Sequence, residues 1–313
     1  MTTLITGAGL VGTGYALEAF QRGEKVVFID PQPREDYVTE RLGDRGEHVL
    51  IRDDVMSLAA LMEACKEHKP ETILHTAALI GQRAANPIHG GFELNLGGAL
   101  NVAEAARLND VRRVVHMSTW GVYIWGSIRD DPVVEDSPRG AGSAYSNSKV
   151  CQELIFEAYQ KKYGFELIML RPGNVFGVGH FWSGSSGGEK VQTLIESGLR
   201  GEVARIPESQ TMNFVYLYAK DMGRAVELAA TVDVPENPVF NLGYDYVTTF
   251  DELVTAAKTA VPDLQVEIIP GTPPVSRSTP LDIGHAERGL GWTPQYSMED
   301  AFADYAQDLK ARM

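Results

Sequence analysis

Residues 3–12 read TLITGAGLVG, in which a short β-branched run leads directly into glycines with the spacing GxGxxG. Such glycines permit a tight turn, let the backbone approach a pyrophosphate and bring the following helix close to the strand. Amide groups at the N-terminus of that helix would face the phosphates. The residues concerned are Gly7, Gly9, Leu10, Val11 and Gly12. This stretch therefore predicts a dinucleotide-binding βαβ unit at the start of a Rossmann fold.

An acidic residue closes the next predicted strand. Asp30 follows the apolar run 25–29, at the distance from the glycines that a dinucleotide-binding unit requires. Its carboxylate can accept hydrogen bonds from the adenosine ribose hydroxyls and would repel a 2′-phosphate, which favours NAD over NADP. Arg34 could pair with such a phosphate, but a solvated surface charge is the commoner role for an arginine there. We therefore expect NAD as the cofactor.

The first half of the chain alternates short β-branched runs with longer amphipathic stretches, a pattern typical of βαβ units on a parallel sheet. The predicted strands are 3–6, 25–29, 49–52, 72–75, 113–117 and 166–170, and the clearest helices are 94–108 and 144–163. The Gly/Ser-rich stretch 177–188 predicts a functional loop. The predicted fold is α/β, a Rossmann doubly wound parallel sheet with a smaller C-terminal α/β substrate-binding cap. We assign residues 1–176 to the NAD-binding domain and 177–313 mainly to the cap, with some segments returning to the Rossmann domain.

Composition narrows the classes of partner and location. The 28 basic and 42 acidic side chains give a net charge of −14, which opposes binding to nucleic acid or to an anionic membrane. The only cysteines, Cys65 and Cys151, are far apart, so neither a disulfide framework nor a metal site is expected. Residues 2–6 enter a strand with no leader pattern before them, and no apolar run is long enough to span a bilayer. We expect a cytoplasmic protein with a small-molecule substrate.

Two further stretches at the ends of predicted strands suit the adenosine half of a dinucleotide. Asp54 and Val55 offer a carboxylate and a backbone amide to an adenine ring, although a solvated turn with an N-cap has a similar sequence. Ala77 and Ala78 would let the backbone lie close to a flat ligand, and could equally serve helix–strand packing. We include all four in the predicted cofactor site.

Polar residues follow the fifth predicted strand at the edge of the sheet where open α/β folds bind ligands. Thr119 lies there, and Tyr145 and Lys149 are four residues apart on one face of a predicted helix. A lysine ammonium near the phenol favours phenolate, which lets the tyrosine exchange a proton closer to neutral pH. Oxidation of a secondary alcohol needs such a proton acceptor beside a hydride acceptor, which a nicotinamide supplies. We predict Tyr145 as general acid/base, with Thr119 holding the reacting oxygen.

With these motifs in order, the sequence resembles the extended short-chain dehydrogenase/reductases, the NAD-dependent epimerase/dehydratase family. The likeness runs through nearly the whole chain. It rests on the glycines of 7–12, Asp54 with Val55, the HTAA of 75–78, Asn95, the TWGVY of 119–123, the YSNSK of 145–149, the RPGNVFG of 171–177, and the segments 216–225, 240–243 and 290–294.

The resemblance adds expected contacts. It implies that Asn95, Pro172, Asn174 and Val175 belong to the cofactor site, and that Lys149 also touches the nicotinamide ribose. It further implies a homodimer formed through the helices 94–108 and 144–163.

Departures from the family pattern bear on the substrate. Family dehydratases carry an acidic pair after the catalytic threonine, where this chain has Trp120 and Gly121, so we expect no dehydration of the usual kind. The arginine common in nucleotide-sugar enzymes is absent from 207–215, which makes a nucleoside diphosphate substrate doubtful. The predicted substrate residues are Trp120, Asn174, His180, Phe181, Trp182 and Tyr218. A solvent-facing His180 and tryptophans that simply fill the core are the alternatives.

Together these features predict an NAD-dependent oxidoreductase that acts reversibly on a secondary hydroxyl or ketone of a small polyhydroxy or sugar-like substrate. The alternative is an epimerase, possibly of nucleotide sugars, which retains its cofactor and reduces a transient ketone on the other face. A dinucleotide-sensing protein without turnover is disfavoured, because Thr119, Tyr145 and Lys149 are all present.

Overall fold

In the computed structural model, the structure describes residues 1–128, 131–140, 142–180, 185–274 and 279–311. The strands are β1 (Thr2–Thr6), β2 (Lys25–Ile29), β3 (His48–Ile51), β4 (Thr72–His75), β5 (Arg113–Met117), β6 (Glu166–Pro172), β7 (Asn174–Phe176), β8 (Val203–Pro207), β9 (Tyr216–Tyr218), β10 (Val239–Leu242) and β11 (Gln265–Ile269). The helices are α1 (Leu10–Gln21), α2 (Glu35–Leu42), α3 (Leu58–His68), α4 (Gly81–Ala85), α5 (Ile88–Leu108), α6 (Ala144–Tyr163), α7 (Ser186–Arg200), α8 (Ala219–Thr231), α9 (Phe250–Ala260), α10 (Gly284–Leu290) and α11 (Met298–Lys310). Short 3₁₀ turns occur at Trp120–Val122 and Glu208–Gln210.

A seven-stranded parallel sheet organises the molecule, with the strand order β10-β6-β5-β4-β1-β2-β3. The chain order reverses between β1 and β4, which creates a crevice at the carboxyl ends of these strands. The predicted Rossmann-type parallel sheet is confirmed, and all six predicted strands are present. The seventh strand, β10, comes from the second half of the chain and pairs with β6.

Apolar side chains alternate between the two faces of this sheet. Along β1, Leu4 packs in a core with α3, α5 and α6, whereas Ile5 packs in a larger core that continues into the second half of the chain. That larger core includes Trp292 and Phe302, so the cap and one face of the sheet share their apolar packing. The division of the chain at residue 176 stays a prediction.

Two small parallel sheets lie outside the main sheet, β8 with β11 and β7 with β9. The second of these starts from Asn174, directly after β6, and carries the chain from the carboxyl edge of the main sheet toward α7. No helix among the described residues is long and apolar enough to cross a membrane.

Candidate active site

The turn between β1 and α1 has a geometry that requires its glycines. Gly7 has a φ of +93°, in the region that favours glycine, and its amide donates to the Ile29 carbonyl at 2.9 Å. A Cβ at Gly12 would lie 2.5 Å from the Gly7 oxygen, so α1 could not approach the turn with a larger residue. A Cβ at Gly9 would meet nothing within 4 Å, which leaves this side of the turn open to a ligand. The turn therefore fits the pyrophosphate of a dinucleotide.

Asp30 lies half-buried directly after β2 and braces the same turn. Its Oδ2 accepts the Ala8 amide at 2.9 Å and its Oδ1 accepts the Gln32 amide at 2.9 Å. These bonds hold the carboxylate at the carboxyl edge of the sheet beside the glycine turn. Its contact with an adenosine ribose stays a prediction.

The predicted adenosine contacts lie on neighbouring loops at this edge. Asp54 is half-buried, with Oδ1 accepting the Met56 amide at 2.9 Å, and Val55 is buried. The Ala77 amide donates to Thr6 Oγ1 at 3.2 Å, and Ala78 follows it in a half-buried position.

The prediction that Asn95 contacts the cofactor is not supported by its surroundings. The side chain is fully buried, and its Nδ2 donates to the Leu79 carbonyl at 3.0 Å and to Ser148 Oγ at 2.8 Å. Its Oδ1 accepts the Leu79 amide at 2.7 Å. With both donor hydrogens bonded to protein, Asn95 ties the loop after β4 to α6, and its predicted cofactor contact stays a prediction.

Thr119, Tyr145 and Lys149 meet at the carboxyl end of β5. Thr119 precedes the 3₁₀ turn, where its Oγ1 accepts the Gly121 amide at 3.2 Å. Burial raises the pKa of Tyr145 to about 12, and a hydrogen bond from the Thr119 hydroxyl opposes this rise. The structure thus brings together the hydroxyl that would hold a substrate oxygen and the phenol that would exchange its proton.

The Lys149 amine is anchored at the end of β5. Its Nζ donates to the Met117 carbonyl at 2.7 Å, so its hydrogen bond goes to the end of β5 and not to the Tyr145 hydroxyl. Burial lowers the pKa of Lys149 to about 7, and the charge of Glu153 opposes that fall. The amine can therefore gain or lose a proton near neutral pH.

Of the predicted substrate residues, Trp120, Asn174 and His180 lie on the segments that follow β5 and β6. Trp120 packs against Trp125 and Phe214, with ring centroids 5.1 and 5.8 Å apart. Asn174 is only 7% exposed, and its Nδ2 has no hydrogen-bond partner in the part of the chain that the structure describes. Phe181 and Trp182 lie outside the described residues.

His180 packs against the start of α7. Its Nδ1 lies 3.4 Å from Gln192 Oε1 and its Nε2 lies 3.4 Å from Ser185 Oγ, the N-cap of α7. Burial lowers its pKa. The alternative of a loop histidine pointing at solvent is therefore wrong.

Tyr218 is buried, and its predicted contact with the substrate stays a prediction. Its side chain is 1% exposed, and its hydroxyl donates to Asp304 Oδ2 on α11 at 2.5 Å. The ring packs against Phe176 and Tyr296 in the core of the cap. Pro172 ends β6, paired with Leu242 of β10, and Val175 is half-buried in β7, so their predicted cofactor contacts stay predictions.

Sequence reasoning missed two features of the site. Glu153 lies one turn after Lys149 on α6 and is fully buried, which its spacing of four residues could have indicated. The second feature is the start of α7, because its first turn contains Gly187 and Gly188, and this Gly-rich stretch was predicted to be a loop.

The sequence model of the NAD dependent epimerase/dehydratase family matches residues 3–243. The chain belongs to this family. It is 31% identical over 310 residues to a UDP-glucose 4-epimerase of Mycolicibacterium smegmatis, covering 97% of this chain and 96% of that protein.

Two solved structures of similar proteins share its fold. MoeE5 in complex with UDP-glucuronic acid and NAD is 26% identical, with a TM-score of 0.84 and 100% of both chains covered. The UDP-glucose 4-epimerase of Thermotoga maritima with UDP-glucose is 22% identical, with a TM-score of 0.86, covering 100% of this chain and 99% of that one.

Membership in the NAD dependent epimerase/dehydratase family confirms the resemblance seen in the motifs. The family description names NAD, which confirms the cofactor predicted from the glycine turn and Asp30. The relatives include epimerases and dehydratases, which favour the epimerase alternative over the simple dehydrogenase.

Proposed function

We propose that this protein is an NAD-dependent epimerase of a nucleoside diphosphate sugar. It would oxidise one ring hydroxyl to a ketone, retain the reduced cofactor and reduce the ketone on its opposite face. The observation that carries the proposal is the assembled Thr119, Tyr145 and Lys149 set beside the glycine turn, in a chain similar over 97% of its length to a UDP-glucose 4-epimerase. Trp120 and Gly121 replace the acids that dehydration would need.

Each catalytic side chain has a separate task. Thr119 holds the substrate oxygen, and Tyr145 removes its proton in the oxidation and returns a proton in the reduction. Lys149 supplies positive charge near the phenol, which lowers the cost of the phenolate. When bound, NAD supplies the hydride acceptor. Because the proton and the hydride both return to the substrate, no other acid or base is needed.

The residues that would hold NAD follow from the open edge of the sheet. The turn at Gly7, Gly9 and Gly12 would face the pyrophosphate, with Leu10 and Val11 presenting amides at the start of α1. Asp30 would accept from the adenosine ribose, and Asp54 with Val55 would lie at the adenine.

The start of α7 supports a phosphorylated substrate. Gly187 and Gly188 lie in its first turn, and a Cβ at Gly187 would be 2.5 Å from Asn174 Oδ1. Gly187 therefore brings the start of α7 against the Asn174 amide group, whose Nδ2 has no hydrogen-bond partner among the described residues. Backbone amides at such a terminus bind phosphate oxygens, so a diphosphate could be held here without the arginine that the sequence lacks.

A simple dehydrogenase of an uncharged polyol is the second candidate, and the cations of the second half of the chain favour it. Lys190 Nζ donates to the carbonyls of Gln210 and Met212, at 2.7 and 2.8 Å. Arg200, Arg205 and Lys220 pair with Glu196, Glu267 and Asp304, respectively. These four basic side chains are thus bonded to protein oxygens.

Turnover with NAD-loaded protein distinguishes the two candidates. UDP-glucose and UDP-glucuronic acid would each be incubated with the protein, with NMR detection of the sugar and absorbance of NADH at 340 nm. An epimerase forms the epimer with no NADH accumulating in solution, whereas a dehydrogenase releases NADH in proportion to its keto product. Failure of free UDP to bind at millimolar concentration, together with no epimer, would reject the nucleotide-sugar proposal.

We also propose a homodimer formed through α5 and α6. Large apolar side chains are exposed on these helices, namely Ile88, Leu100, Leu108, Leu154 and Tyr163. Sedimentation equilibrium would test this, with Leu100→Glu expected to shift the protein to monomers. Ile268→Glu, on exposed β11, is the control that should leave the oligomeric state unchanged.

A further inference from the structure

One face of α6 carries three polar side chains spaced by four residues, Tyr145, Lys149 and Glu153. Their polar partners are three consecutive residues at the end of β5, namely Thr119, Met117 and Ser118, in that order. Each of these three side chains of α6 therefore contacts one of three consecutive residues at the end of β5. The first two contacts belong to the catalytic set, whereas the third has no task in the chemistry described above.

Glu153 is fully buried, and both of its carboxylate oxygens are bonded. Oε1 accepts the Ser118 hydroxyl at 2.5 Å and Arg171 Nε at 2.8 Å. Oε2 accepts Arg171 Nη2 at 2.8 Å and Arg139 Nη1 at 2.5 Å. A buried charge with this many hydrogen bonds has a single well-determined position.

We infer that Glu153 is a positioning residue of the catalytic centre, which holds the end of β5 against α6 so that the Thr119 hydroxyl meets Tyr145. Ser118 directly precedes Thr119, and its side chain is bonded to Glu153. A displacement of Ser118 would therefore move the hydroxyl that orients the substrate. Small displacements of this kind reduce rates strongly, because the reacting atoms must be aligned within a fraction of an ångström.

The charge of Glu153 has a second effect on the same centre. Lys149 is faced by His75 on β4, His116 on β5 and Glu153 on its own helix. Burial lowers the pKa of both histidines, so they stay neutral, and the carboxylate of Glu153 is what opposes the lowered pKa of Lys149. Neutralising Glu153 should therefore make Lys149 lose its proton at a lower pH.

The test compares Glu153→Gln with Glu157→Gln. Glu157 lies one turn further along α6 and also binds Arg139, at 2.9 Å, but it is bonded to neither Ser118 nor Arg171. Glutamine can still accept the Ser118 hydroxyl, so Glu153→Gln removes the charge while conserving shape. Lys149 would be titrated by NMR in NAD-loaded protein labelled with ¹⁵N-lysine, and kcat and KM would be measured across pH.

We expect Glu153→Gln to lower the Lys149 midpoint by about one pH unit and kcat at pH 7 by about fivefold, because a midpoint one unit below the pKa of about 7 reduces the protonated fraction at pH 7 from about one half to about one tenth. KM should change less than about twofold, since Glu153 does not contact the substrate. Glu157→Gln should leave the midpoint and kcat unchanged. A folded Glu153→Gln protein with the wild-type midpoint and the wild-type kcat would overturn the inference.

A second variant separates position from charge. Ser118→Ala removes the hydroxyl that Glu153 holds and keeps the carboxylate, so kcat should fall while the Lys149 midpoint stays in place. If Glu153→Gln does not fold, wild-type kcat in Ser118→Ala overturns the positioning role. The kcat measurements rest on the proposed function. The Lys149 titration does not, so a shifted midpoint without any epimerisation would reject the proposed substrate and leave the assignment of Glu153 standing.

Discussion

Gly179 lies where the loop after β7 crosses the start of α1. Its φ is +100°, and a Cβ at this position would be 2.1 Å from the Tyr37 hydroxyl and 3.0 Å from Leu10 Cα. The Tyr37 hydroxyl lies 2.7 Å from Thr13 Oγ1, which donates to the Gly9 carbonyl at 2.9 Å. A methyl group at Gly179 would therefore displace the Tyr37 hydroxyl, which contacts Thr13, and Thr13 is in turn bonded to Gly9 in the dinucleotide turn.

The magnitude follows from two contributions. An L-residue with positive φ costs about 1–2 kcal/mol, and displacing the Tyr37 hydroxyl from Thr13 costs about another 1 kcal/mol for the lost hydrogen bond. We therefore expect Gly179→Ala to destabilise the protein by roughly 2–3 kcal/mol. Because the lost bond is anchored at Gly9, NAD affinity should fall by about tenfold, which corresponds to about 1.4 kcal/mol.

The matched control is Gly164→Ala. Gly164 ends α6 with a φ of +85°, and a Cβ there would meet nothing within 4 Å. It should show the backbone cost alone and keep the wild-type affinity for NAD. Urea unfolding and calorimetric titration of cofactor-free protein with NAD measure the two quantities. In Tyr37→Phe/Gly179→Ala the hydroxyl is gone, so part of the loss should be recovered. Equal stability and equal NAD affinity in the two alanine variants would refute the reasoning.

Three other changes test separate parts of the site. Tyr145→Phe should keep the wild-type affinity for NAD and lower kcat at least about a hundredfold, because the ring still packs but cannot exchange a proton. Steady-state turnover and NAD titration measure the two quantities, and a near-wild-type kcat would remove Tyr145 from the mechanism. Asp30 should favour NAD over NADP by about 2 kcal/mol, which is roughly thirtyfold in dissociation constants, and Asp30→Asn should reduce that ratio. Equal affinities of the wild type for the two cofactors would contradict the role of Asp30 at the adenosine ribose. His116 is fully buried, and neither ring nitrogen has a hydrogen-bond partner among the residues that the structure describes. Burial lowers its pKa well below that of an unfolded histidine. Below about pH 6.5 the unfolded chain therefore binds a proton on His116 that the folded chain does not, so the free energy of unfolding of the wild type falls with pH, by up to about 1.4 kcal/mol per pH unit for this group. Between pH 7 and pH 5.5, His116→Phe should lose less of its free energy of unfolding than the wild type does. An identical pH dependence of the two proteins would be the contrary result.

Glycine-rich stretches show where local sequence was a poor guide. The predicted helix 94–108 begins at Ile88, although 88–98 contains Gly90, Gly91, Gly97 and Gly98, which lower helix propensity. A Cβ at Gly91 would lie 2.0 Å from the Ala84 oxygen, and one at Gly98 would lie 2.9 Å from a Val55 methyl. These glycines serve close packing of α5, and packing energy outweighs propensity there.

The same cause explains the loop predicted over 177–188. α7 already starts at Ser186, because Asn174 and His180 pack where side chains of Gly187 and Gly188 would be. The backbone amides at the start of this helix, where we propose that a diphosphate binds, therefore have no arginine motif in the sequence.

The sequence by itself determined the parallel strands, the glycine turn, Asp30 and the set of Thr119, Tyr145 and Lys149. These features depend on residues close together in the chain, where period, spacing and turn chemistry operate directly. The identity of partners across elements was decided only by the tertiary structure. Asn95 and Tyr218 resemble ligand contacts in the sequence, yet their polar atoms bond to Leu79 and to Asp304, which the chain pattern does not relate to them. Glu153 is the converse case, since its importance comes from Ser118, Arg139 and Arg171 converging on one buried carboxylate. A hydrogen bond between distant residues depends on how helices and strands pack, and that information is distributed over the whole core and not encoded in any local motif.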